Sequence, residues 1–334
     1  MTNSNVLKYR NIWVIFGVIW VMLYHSGVEV SGILEDFKTI GQGGVDISLF
    51  ASGVGCYYSF CKCRDYEAFI IRRIKRIMPS WIVFVSVWLG YKIWEGEVTF
   101  SNILGNLLGY QSLTGKGGEF SWYISAIMLF YFFTPYLFII TEKITSIIKA
   151  ILVISLIIVI SFSFWDTPFL IIVTRVPIYF IGMLYAKQTM KKDKLKKSQV
   201  LLLAFMFLAG LGILFVSNKF SSADLWKIGL VWYPFILVAP GACILISALC
   251  VMANRYKLGK VIIDFLAKAA DYSFELFLVH VLIFDVYRQL ISIGVLNNYL
   301  WCWVWLIIPI ALGSVFLKKV SLRILEVFYE RKMD

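Results

Sequence analysis

The sequence predicts an all-α, polytopic membrane bundle of about ten transmembrane helices, with both termini in the cytoplasm. Of 334 residues, 60% are hydrophobic and only 16% are charged, whereas soluble domains carry about 25% charged residues. The mean hydropathy is +0.81. Apolar runs of about 17 residues or more recur along the whole chain, and each is long enough to cross a hydrocarbon layer. The runs are continuous, unlike the short alternating strands of a membrane β-barrel.

The ten predicted spans follow these apolar runs in order. They cover residues 11–27, 43–61, 78–94, 121–140, 147–164, 168–186, 199–217, 228–250, 272–291 and 298–316. No small-residue cleavage site follows the first run, so we expect a retained span rather than a signal peptide. Spans five and six are divided at "FWDTP", where Asp166 and Pro168 favour a tight turn.

The loop charges set the predicted orientation. With the N-terminus inside, 25 of the 32 Lys and Arg residues lie on the cytoplasmic side, as the positive-inside rule requires. The net charge of +12 therefore reflects membrane topology, and we expect no nucleic-acid partner. One membrane domain, residues 1–334, ends in a short basic cytoplasmic tail from about 317. The longest outer loop, about 95–120, is Gly-rich and partly apolar, so it is interpreted as a re-entrant or surface-lying segment.

Two polar residues are predicted to lie near the outer face. His25, in "VMLYHSG", ends the first span, and Asp46, in "GGVDISLF", begins the second. An ionisable side chain at membrane depth is costly unless it has a partner or a function. His25 fits either a general base or a helix-end hydrogen bond. Asp46 fits either a carboxylate that orients this imidazole or a helix cap.

A basic run precedes the third span on the inner side. In "FIIRRIKRIMPSW", four cations stand close together: Arg72, Arg73, Lys75 and Arg76. Arg73 and Arg76 are three residues apart and share a helix face. Arginine suits bidentate phosphate binding, but a positive-inside anchor or a lipid-headgroup clamp gives the same pattern.

Five further residues are candidates for lining or supporting a site. Trp122 and Tyr123 fit an aromatic belt at the membrane interface. Arg175 lies within the sixth span and needs a carboxylate, a polar cavity or a ligand. Glu275 and His280 are five residues apart, so they do not share a helix face, and His280 is also explained as a packed histidine bonded to a neighbouring helix.

Several kinds of site are not indicated. Walker, H-E-x-x-H, G-x-S-x-G and Rossmann motifs are absent from the sequence. The six cysteines lack the paired spacing of a zinc site. We therefore expect no metal and no permanently bound cofactor.

The motifs occur together in an order that resembles a known family. The pieces are "VMLYHSG", "GGVDISLFASGVG", "FIIRRIKRIMPSW", "SWYISAIMLFYFFTPYL", "RVPIYFIGMLY" and "YSFELFLVHVLI". Together they resemble acyltransferase family 3, the bacterial membrane proteins that O-acylate cell-surface glycans. In this family an Arg or Lys usually stands eleven positions before the first-span His. Here that position is Val14, and Arg10 lies one helical turn earlier.

The resemblance implies a multi-pass protein of the cell membrane that uses acetyl-CoA or another acyl-CoA as co-substrate. It would transfer an acyl group, usually acetyl, to a hydroxyl of an extracytoplasmic glycan or lipid-linked saccharide. In the implied roles, His25 is the general base and Asp46 orients it. Acyl-CoA would bind at the cytoplasmic side to Arg72, Arg73 and Arg76. The cavity between them would be lined or supported by Trp122, Tyr123, Arg175, Glu275 and His280.

Two other functions are compatible with the sequence. The chain could export a polysaccharide or a small solute without consuming acyl-CoA, although the internal repeats of many transporters are not evident. It could also be a non-catalytic sensor or a structural membrane partner, in contact with membrane lipids. The motifs do not distinguish acetyl from succinyl, and they leave the acceptor and the oligomeric state open.

Overall fold

Helices form because a chain in hydrocarbon must satisfy its backbone hydrogen bonds within each segment. The computed structural model describes residues 3–96, 99–114, 121–191, 196–220, 225 and 228–330, and no β-strand occurs in these ranges. Each of the ten predicted apolar segments is largely helical. The prediction of an all-α polytopic bundle is therefore confirmed.

The helices are numbered here in chain order. They are α1 (Asn3–Lys8), α2 (Arg10–His25), α3 (Ile33–Thr39), α4 (Gly44–Lys62), α5 (Tyr66–Trp94), α6 (Phe100–Leu107), α7 (Trp122–Lys143), α8 (Ile147–Ser161), α9 (Leu170–Val173), α10 (Val176–Lys191), α11 (Lys197–Lys219), α12 (Phe235–Ala253), α13 (Lys257–Ala270), α14 (Ser273–Ser292), α15 (Leu300–Trp305) and α16 (Ile307–Glu330). Short 3₁₀ turns cover Ile40–Gly43, Gln111–Thr114 and Phe162–Phe164.

Seven helical stretches of the described chain are long and apolar enough to cross a membrane. They are Tyr66–Trp94, Trp122–Lys143, Ile147–Phe164, Leu170–Lys191, Ser198–Lys219, Phe235–Ala253 and Trp301–Val327. Helix α2 is apolar but shorter, with 16 residues. Helices α4 and α14 have 19 and 20 residues, which is about 30 Å of helix. The total of ten spans and the cytoplasmic termini stay predictions.

Two helices extend beyond their predicted spans by about three helical turns or more. Helix α5 begins at Tyr66 because the Asp65 side chain caps it, accepting a hydrogen bond from the Ala68 amide at 3.1 Å. The basic run is therefore continuous with the third span. Helix α16 continues to Glu330, through the start of the predicted tail, because Leu317 and Ser321 still pack against the bundle.

Helix α13 was predicted only as part of a basic inner loop. Its sequence alternates lysines with apolar residues at helical spacing, which makes it amphipathic. Ile263 and Ala270 pack in one cluster with Tyr9 and Ile12 near the start of α2. The helix therefore braces the end of α2 that carries Arg10.

The turn predicted at "FWDTP" is confirmed. The 3₁₀ turn Phe162–Phe164 ends α8, and the Thr167 amide donates to the carbonyl oxygen of Phe164 at 3.1 Å. Asp166 has a φ of 56°, a conformation that Asp tolerates better than most residues. The chain reverses here before α9.

The segment 99–114, predicted to lie in an outer loop, packs back onto the bundle. The Trp81 indole of α5 donates to the carbonyl oxygen of Leu107 at 3.3 Å. The Ser125 hydroxyl of α7 donates to the carbonyl oxygen of Gly109. Residues 97–98 and 115–120 of the predicted outer loop lie outside the described ranges. Its re-entrant or surface-lying placement stays a prediction.

Glycines allow α4 to touch its neighbours backbone to backbone. An ideal Cβ on Gly53 would lie 2.1 Å from the carbonyl oxygen of Tyr179, and one on Gly182 would lie 2.3 Å from that of Phe50. On its other side, a Cβ on Gly44 would lie 2.1 Å from the carbonyl oxygen of Gly17. Small residues at such crossings are typical of membrane helix packing. Helix α4 is thereby held between α2 and α10.

We expect Gly53→Ala to destabilise the protein by about 1–3 kcal/mol, because the added methyl forces the α4 and α10 backbones apart. The measurement is the thermal unfolding midpoint of the purified protein in detergent. Gly90→Ala is the matched control, since Gly90 also lies within a helix but has no atom within 4 Å of an added Cβ. Equal midpoints for the two variants would show that the crossing is not tightly packed.

Candidate active site

A cavity lies among α2, α4, α5, α7 and α14. Helix α2 lines it with one face, formed by Arg10, Val14, Val18 and Val21, and with Asn11. The other lining residues are Val45, Ser48, Ala51, Ser52 and Gly55 of α4, Arg73, Arg76 and Ile77 of α5, Tyr123, Ile127 and Tyr131 of α7, and Ser273, Phe274 and Phe277 of α14. From Arg10 to Val21 the cavity follows α2 for about 16 Å.

Three arginines gather at one end of this cavity. Arg10 lies against α4, where a Cβ on Gly55 would be 2.5 Å from its Nη1 atom, and it experiences the like charges of Arg76 and Arg73. The Arg73 guanidinium carbon stacks over the Phe69 ring at 5.0 Å from the centroid, and its Nε atom is buried without a hydrogen-bond partner. Arg76 is more exposed than the other two.

The arginine cluster, Arg10, Arg73 and Arg76, has no carboxylate to balance it. Within the described part of the chain, none of the three forms an ion pair. Cationic side chains inside a membrane protein normally pair with carboxylates or face water-filled cavities. Three guanidinium groups without ion-pair partners around one cavity can attract an anion, and their planar donors suit phosphate oxygens.

The cluster differs from the predicted one at two positions. Arg72 is exposed and does not line the cavity, because it lies about 100° around the helix from Arg73. Arg10 takes a place in the cavity that the sequence left uncertain. Val14 lines the cavity one turn further along α2, so Arg10 and the position of the missing family cation lie on one face.

The two histidines of the chain meet at the other end of α2. The Nδ1 atom of His25 lies 2.9 Å from the Nε2 atom of His280, and the rings are nearly parallel, with centroids 5.2 Å apart. His280 is fully buried, whereas His25 is partly exposed. Arg288 donates to the backbone carbonyl oxygen of His25 at 2.8 Å, which anchors the helix end that carries the ring.

Aromatic packing connects the histidine pair to the cavity. Phe277 lines the cavity and its ring contacts His280 at a centroid distance of 5.7 Å. Tyr123, on the facing wall, packs against Phe277 at 4.7 Å. Val21, the last cavity residue of α2, precedes His25 by one helical turn. One cavity thus extends from the arginine cluster toward the histidine pair.

The predicted partner of His25 is corrected by this geometry. Asp46 is buried, but among the described residues the hydrogen bond of the His25 ring is with His280, and the Oδ2 atom of Asp46 has no partner. Asp46 instead interacts electrostatically with Arg175. Placement at similar depth on neighbouring helices did not establish contact, because helix rotation decides which side chains meet.

Arg175 does not line the cavity that was predicted to include it. It is buried in the break between α9 and α10, where its guanidinium carbon lies 4.8 Å from the ring centroid of Trp122 and 4.7 Å from that of Trp232. Its Nη1 atom donates to the carbonyl oxygen of Ile171 at 2.8 Å. The cation is stabilised by two indole faces, which gives Trp122 a specific contact beyond an aromatic belt.

Glu275 connects α14 to α5. It is buried and accepts a hydrogen bond from the Ser80 hydroxyl at 2.8 Å. Its neighbours Ser273 and Phe274 line the cavity, whereas Glu275 itself does not. The carboxylate therefore supports the wall from behind, with Ser80 as its hydrogen-bond partner, whereas the His280 ring bonds to His25.

Two contacts of the site were missed from the sequence. His280 was expected to line a cavity or to bond a neighbouring helix, but its partner there, His25, was not identified, and the signal was that the chain's two histidines both lie in apolar segments. Arg10 was not assigned to the site because it lies one helical turn before the expected position, yet it lies on the same helix face as Val14. A helical-wheel comparison of positions 10, 14, 18 and 21 would have shown this.

Comparison with known proteins identifies one related family. Residues 12–319 match the family model of an acyltransferase domain, Acyl_transf_3. No curated protein and no solved structure matches the chain.

Proposed function

The chain belongs to acyltransferase family 3, and on that premise we propose that it is a membrane O-acyltransferase that uses acyl-CoA. The donor is cytosolic acetyl-CoA or a related thioester, and the acceptor is a hydroxyl of an extracytoplasmic glycan or lipid-linked saccharide. The observation that carries this proposal is the single cavity that joins the arginine cluster to the vicinity of the histidine pair.

The arginine cluster supports the donor end of the proposal. Coenzyme A carries a pyrophosphate and a 3′-phosphate, and Arg10, Arg73 and Arg76 offer unpaired guanidinium groups to such anions. The valine face of α2 and the rings of Tyr123 and Phe277 would then accommodate the flexible pantetheine arm, so that the thioester points toward His25.

The histidine end supports the chemical step. His25 is only partly buried, which supports access of a hydroxyl to it. As the hydroxyl oxygen attacks the thioester carbonyl carbon, His25 takes the hydroxyl proton. The new C–O bond forms, the C–S bond breaks, and the protonated ring returns the proton to the departing thiolate.

The proposal predicts that blocking the cavity stops transfer. We expect Val18→Trp to lower kcat/KM for acyl-CoA by about tenfold or more, because an indole in the valine face displaces the donor arm. The assay is thiol release from acyl-CoA by the purified protein in liposomes with a saccharide acceptor. Ile19→Trp is the matched control, since Ile19 is the next residue of the same helix but is 49% exposed.

The same assay separates the enzyme from an exporter. An exporter would move saccharide across the liposome membrane without releasing thiol. Thiol release would then stay at background in the wild-type protein and in the Val18→Trp variant alike. In cells, mass spectrometry of surface glycans from a deletion strain would show the loss of one acyl increment. Intact glycan acylation in that strain, with thiol release absent in liposomes, would contradict the proposal.

A further inference from the structure

The hydrogen bonds of His280 determine where its proton is. Its Nδ1 atom lies 3.1 Å from the backbone carbonyl oxygen of Leu276, one turn earlier in α14. A carbonyl oxygen only accepts hydrogen bonds, so Nδ1 of His280 must carry the hydrogen. In the neutral imidazole the other nitrogen, Nε2, then has a lone pair and acts as an acceptor.

This assignment fixes the tautomer of the second ring. The Nε2 atom of His280 faces Nδ1 of His25 at 2.9 Å. Because His280 accepts at that atom, His25 must donate, and its hydrogen therefore sits on Nδ1. The Nε2 atom of His25 is left with the free lone pair, which is what a general base requires.

We propose that His280 is a positioning residue that holds His25 in the tautomer with the hydrogen on Nδ1, so that Nε2 accepts the proton of the acceptor hydroxyl. The inference rests on the proposed function, in which His25 is the base. The proton moves from the hydroxyl to Nε2 of His25, while the Nδ1 hydrogen stays in place. The bond to His280 then becomes charge-assisted and strengthens as the reaction proceeds.

The surroundings of His280 suit a fixed acceptor. Phe277 and Phe284 contact the ring edge to face, with centroid distances of 5.7 and 5.6 Å, and the side chain is fully buried. The ring is thus held in one orientation by packing and by the Leu276 carbonyl. In catalytic triads a carboxylate fixes the histidine tautomer, and here a neutral imidazole takes that place.

Because the chain has only two histidines, ¹⁵N-histidine labelling reports on this pair alone. In the wild-type protein we expect both rings to show a protonated Nδ1 and an unprotonated Nε2. In His280→Leu the remaining ring, His25, loses its acceptor, and its ¹⁵N shifts should move toward the other tautomer. A wild-type His25 ring protonated on Nε2 would overturn the proposal, even if His280→Leu failed to fold.

Kinetics provide a second readout. We expect His280→Leu to lower kcat about tenfold or more, as part of the contribution of the general base, with the KM for acyl-CoA unchanged because the arginine cluster is intact. His280→Gln should recover part of kcat, since its amide oxygen can accept from Nδ1 of His25. Phe284→Leu is the control, because it loosens the packing of His280 but keeps both histidines.

The outcomes distinguish this inference from the function on which it rests. Wild-type kcat in His280→Leu, with His25→Ala inactive, would overturn the role of His280 and leave the proposed function standing. Full activity in His25→Ala would overturn the function itself. An equal loss of kcat in His280→Leu and Phe284→Leu, with an unmoved His25 tautomer, would reduce His280 to a packing residue.

Discussion

Replacing His25 by Ala is expected to lower acyl transfer by about 10²–10⁴-fold, the usual contribution of a general base. The loss should fall on kcat, because His25 lies at the far end of α2 from the arginine cluster. The measurement is thiol release from acyl-CoA by equal amounts of wild-type and variant protein in liposomes, with acceptor present. Binding of the donor, measured by calorimetry, should be unchanged.

Ser26→Ala is the matched control for that experiment. Ser26 directly follows His25, and its hydroxyl donates to the carbonyl oxygen of Leu23 at 2.7 Å, so the variant disturbs the helix end without touching the ring. We expect it to retain most of its activity. Acceptor acylation by His25→Ala at the wild-type rate would eliminate His25 as the base, whatever the structure of the pair.

The arginine cluster gives the second large effect. Removing a hydrogen bond to a charged group costs about 1.5–3 kcal/mol, which corresponds to about a 10- to 150-fold rise in the KM for acyl-CoA for each substitution. We expect Arg73→Ala and Arg76→Ala to show this rise, and the double variant to show a larger one. The assay is the dependence of thiol release on acyl-CoA concentration, and kcat should change less than KM.

Arg72→Ala is the control for the cluster, since Arg72 belongs to the same basic run but is exposed and outside the cavity. A rise in KM for Arg72→Ala as large as that for Arg73→Ala would point to general surface charge. Arg10→Ala should behave like Arg73→Ala, and Val14→Arg in that background should restore part of the affinity. Unchanged KM in every cluster variant would remove the donor site from this cavity.

Local features of the site were predictable from the sequence. The helices follow from apolar runs, the reversal at Asp166 from turn-forming residues, and the shared face of Arg73 and Arg76 from helical spacing. Each of these depends on residues close together in the chain, and the physical cause acts over a few residues. The same holds for His25 at the end of its helix.

Contacts between distant helices were not predictable in this way. His25 and His280 are 255 residues apart, and their contact depends on how α2 and α14 are rotated about their axes. The same uncertainty led to the wrong partner for His25, Asp46, and to the wrong surroundings for Arg175. Hydropathy fixes depth in the membrane, but it does not fix rotation, because lipid is equally favourable for any apolar face.

Helix α2 carries both ends of the proposed reaction path. Arg10 begins it and His25 ends it, so sixteen residues of continuous helix place the residues proposed to bind phosphate and to accept the proton about 22 Å apart along the helix axis. In the proposed function, the length of α2 therefore determines how long the arm of the acyl donor must be. A thioester carrier with a shorter or longer arm between phosphate and sulfur would present its carbonyl away from His25, so the length of one helix would select coenzyme A by its dimensions rather than by its acyl group.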